Sequence, residues 1–171
     1  MERIAIVGCG GSGKTYLARE LAERLDLPLT HLDAVYYDRD WNPRDDAGFR
    51  LLQAELVARP RWIIEGNYAA TLPVRIAAAD TVILLDLPAR TCLLGVLQRR
   101  RRFGSGQNPA LGVYNRINWN FIRYILGYRR AMLPRVRRMI AERQASDHAE
   151  TLDVVILSSR LAIRQYLRTL P

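Results

Sequence analysis

Lys14 and Thr15 close a glycine-rich run, while Asp33 and Glu65 each follow a short apolar stretch, a set of groups suited to phosphoryl transfer. The run Gly8, Cys9, Gly10, Gly11, Ser12, Gly13, Lys14, Thr15 fits G-x-x-x-x-G-K-[ST]. In such a loop successive backbone N–H groups wrap phosphate oxygens, the ammonium reaches the β and γ oxygens, and the hydroxyl can hold Mg²⁺. The glycines let the backbone turn and come close to a phosphate with no Cβ in the way. Asp33 is a candidate to orient an acceptor hydroxyl, take its proton or hold a metal-bound water; the bland alternative is a residue that starts a turn. Glu65, followed by a Gly-Asn-Tyr turn, is the preferred acidic partner of the metal over Asp86, which precedes Leu87 and Pro88 and can simply start a helix.

The basic residues carry a second signal. The chain has 25 arginines and a single lysine, and that lysine is Lys14. A planar guanidinium is a poor substitute for a compact ammonium in a phosphate-sized hollow, so the exception falls where the chemistry resists exchange. A net charge of +9 implies attraction for polyanions, nucleotides or nucleic acid, and the excess sits in the second half, at residues 99–102 and at Arg135, Arg137 and Arg138. Cys9 and Cys92 show neither metal-ligand spacing nor a disulfide framework, which fits a reduced cytoplasmic setting. With a strand at the N-terminus and no apolar run near the ~18 residues of a membrane span, neither secretion nor membrane insertion is expected.

Residues 3–7 predict a buried strand entering the loop and residues 16–22 a helix leaving it, which places the loop at a helix N-terminus that favours an anion. A second strand over 27–33 is expected to end at Asp33, on the ligand side of a parallel sheet. Aromatic residues 36–41, among them Tyr36 and Trp41, form either the wall of an acceptor pocket or the cover of a small core. Further expectations are a helix over 44–58, strands over 61–68, 81–86 and 152–157, and a short helix within 71–80. A basic amphipathic helix over 89–102 leads to a flexible segment at 103–109, then a helical stretch over 113–145 kinked before Pro134. Ser158 and Ser159 are expected to cap a last helix. These elements make one α/β domain over 1–171, a parallel five-stranded sheet between helices, with a lid at about 99–116 that closes on transferring phosphates.

Several segments together resemble a known family: the phosphate loop, residues 31–33 (HLD), residues 62–68 (WIIEGNY) with Thr71, Leu72 and Arg75, and Ala79, Asp80 and Thr81 running into residues 85–88 (LDLP). The chain is similar to the bacterial adenylate-kinase-related topology modulation (FlaR-like) proteins over most of its first hundred residues. More broadly it resembles nucleoside monophosphate, shikimate and gluconate kinases. The resemblance implies the P-loop kinase fold with strand order 2-3-1-4-5, an arginine-rich lid, and ATP with Mg²⁺ as donor. It implies that Lys14 and Thr15 serve the phosphates and metal, and that Asp33 meets the acceptor or a metal-bound water. Glu65 stands where those kinases often carry an aspartate. Residues 66–68 replace the Gly-Phe-Pro-Arg of adenylate kinases, which removes an arginine that grips an acceptor phosphate; Arg75 is the expected replacement.

The expected activity is phosphoryl transfer from ATP to a small molecule, nucleoside or nucleotide. Gly8 to Thr15 and Arg160 would bind the nucleotide, and Thr15 and Asp33 the metal. Arg99, Arg102 and Arg130 would neutralise the transferred group, and Asp33, Tyr36, Trp41, Asn67, Tyr68 and Arg75 would bind the acceptor. The alternatives are a nucleic-acid-associated ATPase or regulator, a polynucleotide end kinase, or a nucleotide-binding protein without catalysis.

Overall fold

The computed structural model describes residues 1–108, 113–115, 117–146 and 152–170. Strands β1 (Arg3–Gly8), β3 (Trp62–Glu65) and β4 (Thr81–Leu85) are near-continuous apolar runs, as strands covered on both faces must be. With β2 (Leu29–His31) and β7 (Asp153–Leu157) they form a parallel sheet in the order β2-β3-β1-β4-β7. Ala5 at its centre pairs with Ile64 on one side and Val82 on the other. Ile4, Ile6, Val7, Ile63, Ile64 and residues 82–85 are fully buried. Each large side chain among them contributes about 1.5–3 kcal/mol relative to exposure.

The connections are helices: α1 (Lys14–Leu25), α2 (Leu32–Tyr36), α3 (Asp46–Val57), α4 (Leu72–Ala78), α5 (Ala89–Phe103), α6 (Trp119–Ala131), α7 (Leu133–Gln144) and α8 (Arg160–Arg168). Asp45 caps α3 by accepting from Gly48 N–H, Asn118 caps α6 from Phe121 N–H, and Ser159 caps α8 from Ala162 N–H. Asp80, one of the residues of the family resemblance, has a structural task. Its Oδ2 accepts from the backbone N–H groups of Glu2 and Arg3, both at 2.8 Å, and so holds the start of β1 beside β4.

Three local expectations change. The second strand stops at His31, and Asp33 sits in the first turn of α2, because residues 32–36 curl into a helix over Leu32, which is fully buried. The glycine-containing stretch after α5 is not wholly irregular: β5 (Gly106–Asn108) pairs antiparallel with β6 (Val113–Asn115). The helical stretch therefore begins at Trp119 and breaks completely at Met132, where Pro134 in the first turn of α7 cannot continue the preceding ladder. Within the expected lid, residues 109–112 and 116 lie outside the described residues. No helix among the described residues is long and apolar enough to cross a membrane.

Candidate active site

The loop between β1 and α1 lies at the C-terminal end of the central strand, where α/β sheets place ligands. Gly13, at φ +102°, precedes α1 with no side-chain cap, so the first N–H groups of the helix remain available to an anion. The loop rests on α5: a Cβ at Gly11 would lie 2.2 Å from the Cys92 carbonyl oxygen. On its other side a Cβ at Gly10 would lie 2.6 Å from the ring of Phe121 in α6. Gly11→Ala is expected to destabilise the fold by about 2 kcal/mol or more, since its obstacle is backbone and its φ of +78° disfavours a side chain; urea unfolding measures it.

Beside the loop two carboxylates face the same hollow. Glu65 Oε1 accepts from the Thr15 hydroxyl at 3.0 Å and contacts His31 Nδ1 at 2.9 Å. Burial pushes the Glu65 carboxyl up, but the His31 hydrogen bond, the Lys14 charge and the Thr15 hydrogen bond outweigh it and hold the group below its ordinary value. Ionised Glu65 makes Nδ1 the donor of that contact. Asp33 goes the other way: burial and the neighbouring Glu65 charge raise it, against the opposing pull of Tyr68, Lys14 and Arg99. The Tyr68 hydroxyl donates to Asp33 Oδ1 at 2.5 Å from a backbone held at φ +38°, unusual for a residue with a side chain. Two carboxylates whose environments push their ionisation apart are the arrangement needed for one acid–base group and one persistent anion.

Lys14 Nζ donates to the Cys9 carbonyl at 3.1 Å, folded across its own loop. Asn67 ties that loop to its surroundings: its Oδ1 accepts from Gly8 N–H at 3.1 Å, and its Nδ2 donates to the Tyr124 hydroxyl of α6 at 2.5 Å. From α5, the Arg99 guanidinium donates to Asn115 Oδ1 at 3.3 Å, and Asn115 in turn donates to the Gly104 carbonyl. Burial lowers Arg99, while Asp33 and Glu65 counter that shift by attraction. Gln107, on β5, donates to the Asp38 carbonyl at 2.9 Å, joining the hairpin to the aromatic loop.

The loop, both carboxylates, Asn67, Tyr68, Arg99 and Tyr124 line a cavity of about 1330 Å³. It exceeds the roughly 300–1,000 Å³ of a pocket for one small ligand, which leaves room for two. The structure brings together Gly10, Gly11, Ser12, Gly13, Lys14, Thr15, Asp33, Trp41, Glu65, Asn67, Tyr68, Arg99, Arg102 and Arg160 along its wall. Gly8 stays behind it, with Leu85 against the space a side chain would need. Three expected residues are elsewhere. Tyr36 packs its ring against Phe49 and Tyr68, each at 4.7 Å, as cover for the core. Arg130 is exposed on α6, away from the cavity, because α6 turns Ile125 and Tyr128 inward instead.

Arg75 is the third. It is fully buried and donates to the carbonyls of Gly66 at 2.7 Å and Asn67 at 2.5 Å, so it braces the turn after β3 from beneath. Burial pushes its guanidinium down to about 9, still charged at neutral pH. Arg75→Met is expected to cost about 2–4 kcal/mol by leaving two carbonyls unsatisfied, with the ATP affinity of the folded fraction unchanged; denaturant titration and calorimetric binding read the two effects. Asp86, the alternative metal partner, pairs instead with Arg129 at 3.0 Å and Arg137 at 2.8 Å, fastening α6 and α7 to the end of β4.

Sequence reasoning missed His31, Phe121 and Tyr124 as contributors to the site, whereas Tyr37, within the aromatic loop 36–41 offered as a pocket wall, lines the cavity. His31 had a signal, its place at a strand end two residues before Asp33. Phe121 and Tyr124 had none, because only the packing of α6 across the loop brings them there.

A parallel five-stranded sheet in this order, flanked by helices and carrying a glycine-rich phosphate-type loop after its first strand, is the P-loop kinase fold. Shikimate kinase from Acinetobacter baumannii in complex with shikimate is similar in structure, with TM-score 0.56 and 19% identity, covering 99% of this chain and 90% of that one. So is shikimate kinase from Aquifex aeolicus, with TM-score 0.53 and 14% identity over 98% of this chain and 94% of that one. A gluconokinase from Sinorhizobium meliloti gives TM-score 0.50 and 13% identity over 98% and 87%. No protein-family model matches the chain, and no curated protein matches it in sequence.

Proposed function

We propose that this chain is an ATP-dependent phosphotransferase acting on a hydroxyl group of a small molecule. The observation that carries the reading is the convergence of Lys14, Thr15, Glu65 and Asp33 on one cavity beside an uncapped helix start. The similar structures are small-molecule kinases, which supports a small-molecule acceptor over nucleic acid. The finer affiliation with the FlaR-like topology modulation proteins rests on residues 31–33 and 62–68, which contribute His31, Asp33, Glu65, Asn67 and Tyr68 to the site.

The nucleotide fits the loop, whose glycines leave no Cβ over the N–H groups and whose Ser12 hydroxyl is buried with no partner in the protein. Mg²⁺ fits the donor chemistry of a threonine hydroxyl beside carboxylates. Among the described residues no cluster could hold a metal alone, as suits an ion that arrives with phosphate oxygens. When bound, Mg²⁺ supplies neutralisation of phosphoryl charge. Lys14 leaves the Cys9 carbonyl to meet the terminal phosphates. Thr15 and Glu65 would hold the metal side. Asp33, with Tyr68 fixing one of its oxygens, orients the acceptor hydroxyl and takes its proton. Arg99 and Arg102 at the base of the hairpin would offset charge on the transferred group, while Arg160, bonded to Gln98, stands at the far end where the base would lie.

Purified protein incubated with ATP labelled at the γ position is expected to form labelled product from a mixture of small alcohols and nucleosides in the presence of Mg²⁺ and not of EDTA. A protein that binds no ATP would end this proposal.

A further inference from the structure

We infer that His31 is a positioning residue for the metal side of the site: its imidazole anchors the Glu65 carboxylate, which in turn keeps the Thr15 hydroxyl oriented for a nucleotide-bound divalent cation. The inference rests on the kinase reading above and gives a task to a residue which that reading leaves without one.

The sheet register makes the contact. In the parallel pairing of β2 with β3, His31 stands directly beside Glu65, and in that of β3 with β1, Glu65 stands beside Ile6. Both strands then turn away at once. Helix α2 begins at Leu32, and Gly66 leaves β3 at φ +143° with its N–H on the Ile6 carbonyl at 3.2 Å. A Cβ at Gly66 would lie 2.8 Å from the Leu32 Cβ, so the two strand ends are pressed together and the side chains of His31 and Glu65 have little freedom to part.

Two donors converge on one oxygen. The Thr15 hydroxyl at 3.0 Å and His31 Nδ1 at 2.9 Å both meet Glu65 Oε1. A hydroxyl carries one proton, and with that proton committed to Glu65 the lone pairs of the Thr15 oxygen are left for a cation. The arrangement holds only while the carboxylate stays in place. Thr15 alone is a weak anchor, and the Lys14 charge, which also acts on Glu65, offers the carboxylate another partner. The imidazole keeps Glu65 on Thr15 and leaves Lys14 to the phosphates. A neutral ring with its proton on Nδ1 makes this bond as well as a charged one does.

His31 and Glu65 keep only 11% and 7% of their side-chain exposure, so water serves the carboxylate poorly once the imidazole is gone. Some loss of stability is therefore expected from any His31 substitution, and stability alone does not distinguish a positioning role from a structural one. Metal binding does.

The test uses the full chain and the non-hydrolysable β,γ-imido analogue of ATP, titrated by calorimetry in EDTA and again with Mn²⁺. The ratio of the two affinities measures what the metal adds. His31→Leu is expected to lower that ratio by about 10–100-fold, with the affinity in EDTA unchanged within about twofold. Asparagine places its amide nitrogen near the Nδ1 of histidine, and glutamine near Nε2. His31→Asn is accordingly expected to restore most of the ratio and His31→Gln little of it, while urea unfolding of the same variants follows stability separately. If His31→Leu does not fold, the asparagine and glutamine variants decide by the same criterion. A ratio unchanged by substitution, a loss confined to the urea midpoint, glutamine restoring as well as asparagine, or an analogue that binds the unsubstituted protein without help from Mn²⁺ overturns the inference and leaves the phosphate loop standing. An analogue that does not bind the unsubstituted protein removes the kinase reading with it.

Discussion

Lys14→Ala is expected to lower ATP-dependent phosphorylation by about 10³-fold or more while the protein stays folded. The asymmetry follows from the contacts. Lys14 is half-buried, and among the described residues its ammonium donates to the Cys9 carbonyl, which water can serve once the side chain is gone. Its charge acts on Asp33 and Glu65 within the site rather than fastening helices to the sheet as Asp86 does with Arg129 and Arg137. What the variant loses is the cation that meets the terminal phosphates, and no arginine can replace a compact ammonium within the loop. Initial rates with γ-labelled ATP, together with the thermal midpoint of the free protein, separate the two effects. Retained phosphorylation in the variant would falsify the assignment of the loop as the phosphate site.

Asp33→Asn removes the proton acceptor and is expected to lower kcat by about 10²–10⁴-fold with little change in ATP affinity. The pH profile gives the same residue an independent signature. Asp33 must be ionised to take a proton, and burial together with Glu65 raises it above the ordinary 3.8. The acid limb of kcat/KM therefore lies higher than for an exposed carboxylate, with activity present above the raised value and lost as pH falls through it. Because the Tyr68 hydrogen bond favours the ionised form, Tyr68→Phe moves that limb to still higher pH. A limb that stays in place in Tyr68→Phe would show that another group controls it.

The fold was legible because the periodicities were long and strong. Residues 3–7 and 81–85 could only be buried strands, the octapeptide fixed the turn between β1 and α1, and Ser159 marked the start of α8. The floor of the site was legible for the same reason, since Asp33 and Glu65 follow apolar runs that end at the ligand side of the sheet. What sequence could not supply was the direction of side chains decided by packing. Arg75 reads as a cation next to a site, yet the short helix α4 turns it under the backbone of the β3–α4 turn. Arg130 lost its place because the apolar face of α6, not its arginines, faces the loop. The hairpin of β5 and β6 escaped detection since three-residue strands carry too few positions to set a period.

The contact of Phe121 with Gly10 reaches beyond this one chain. With a Cβ at position 10 held 2.6 Å from that ring, position 10 is not free to enlarge while the Phe121 ring keeps its place. Descendants that acquire a larger residue at 10 must first have trimmed 121, so the two positions should change in a fixed order during divergence, aromatic loss preceding glycine loss.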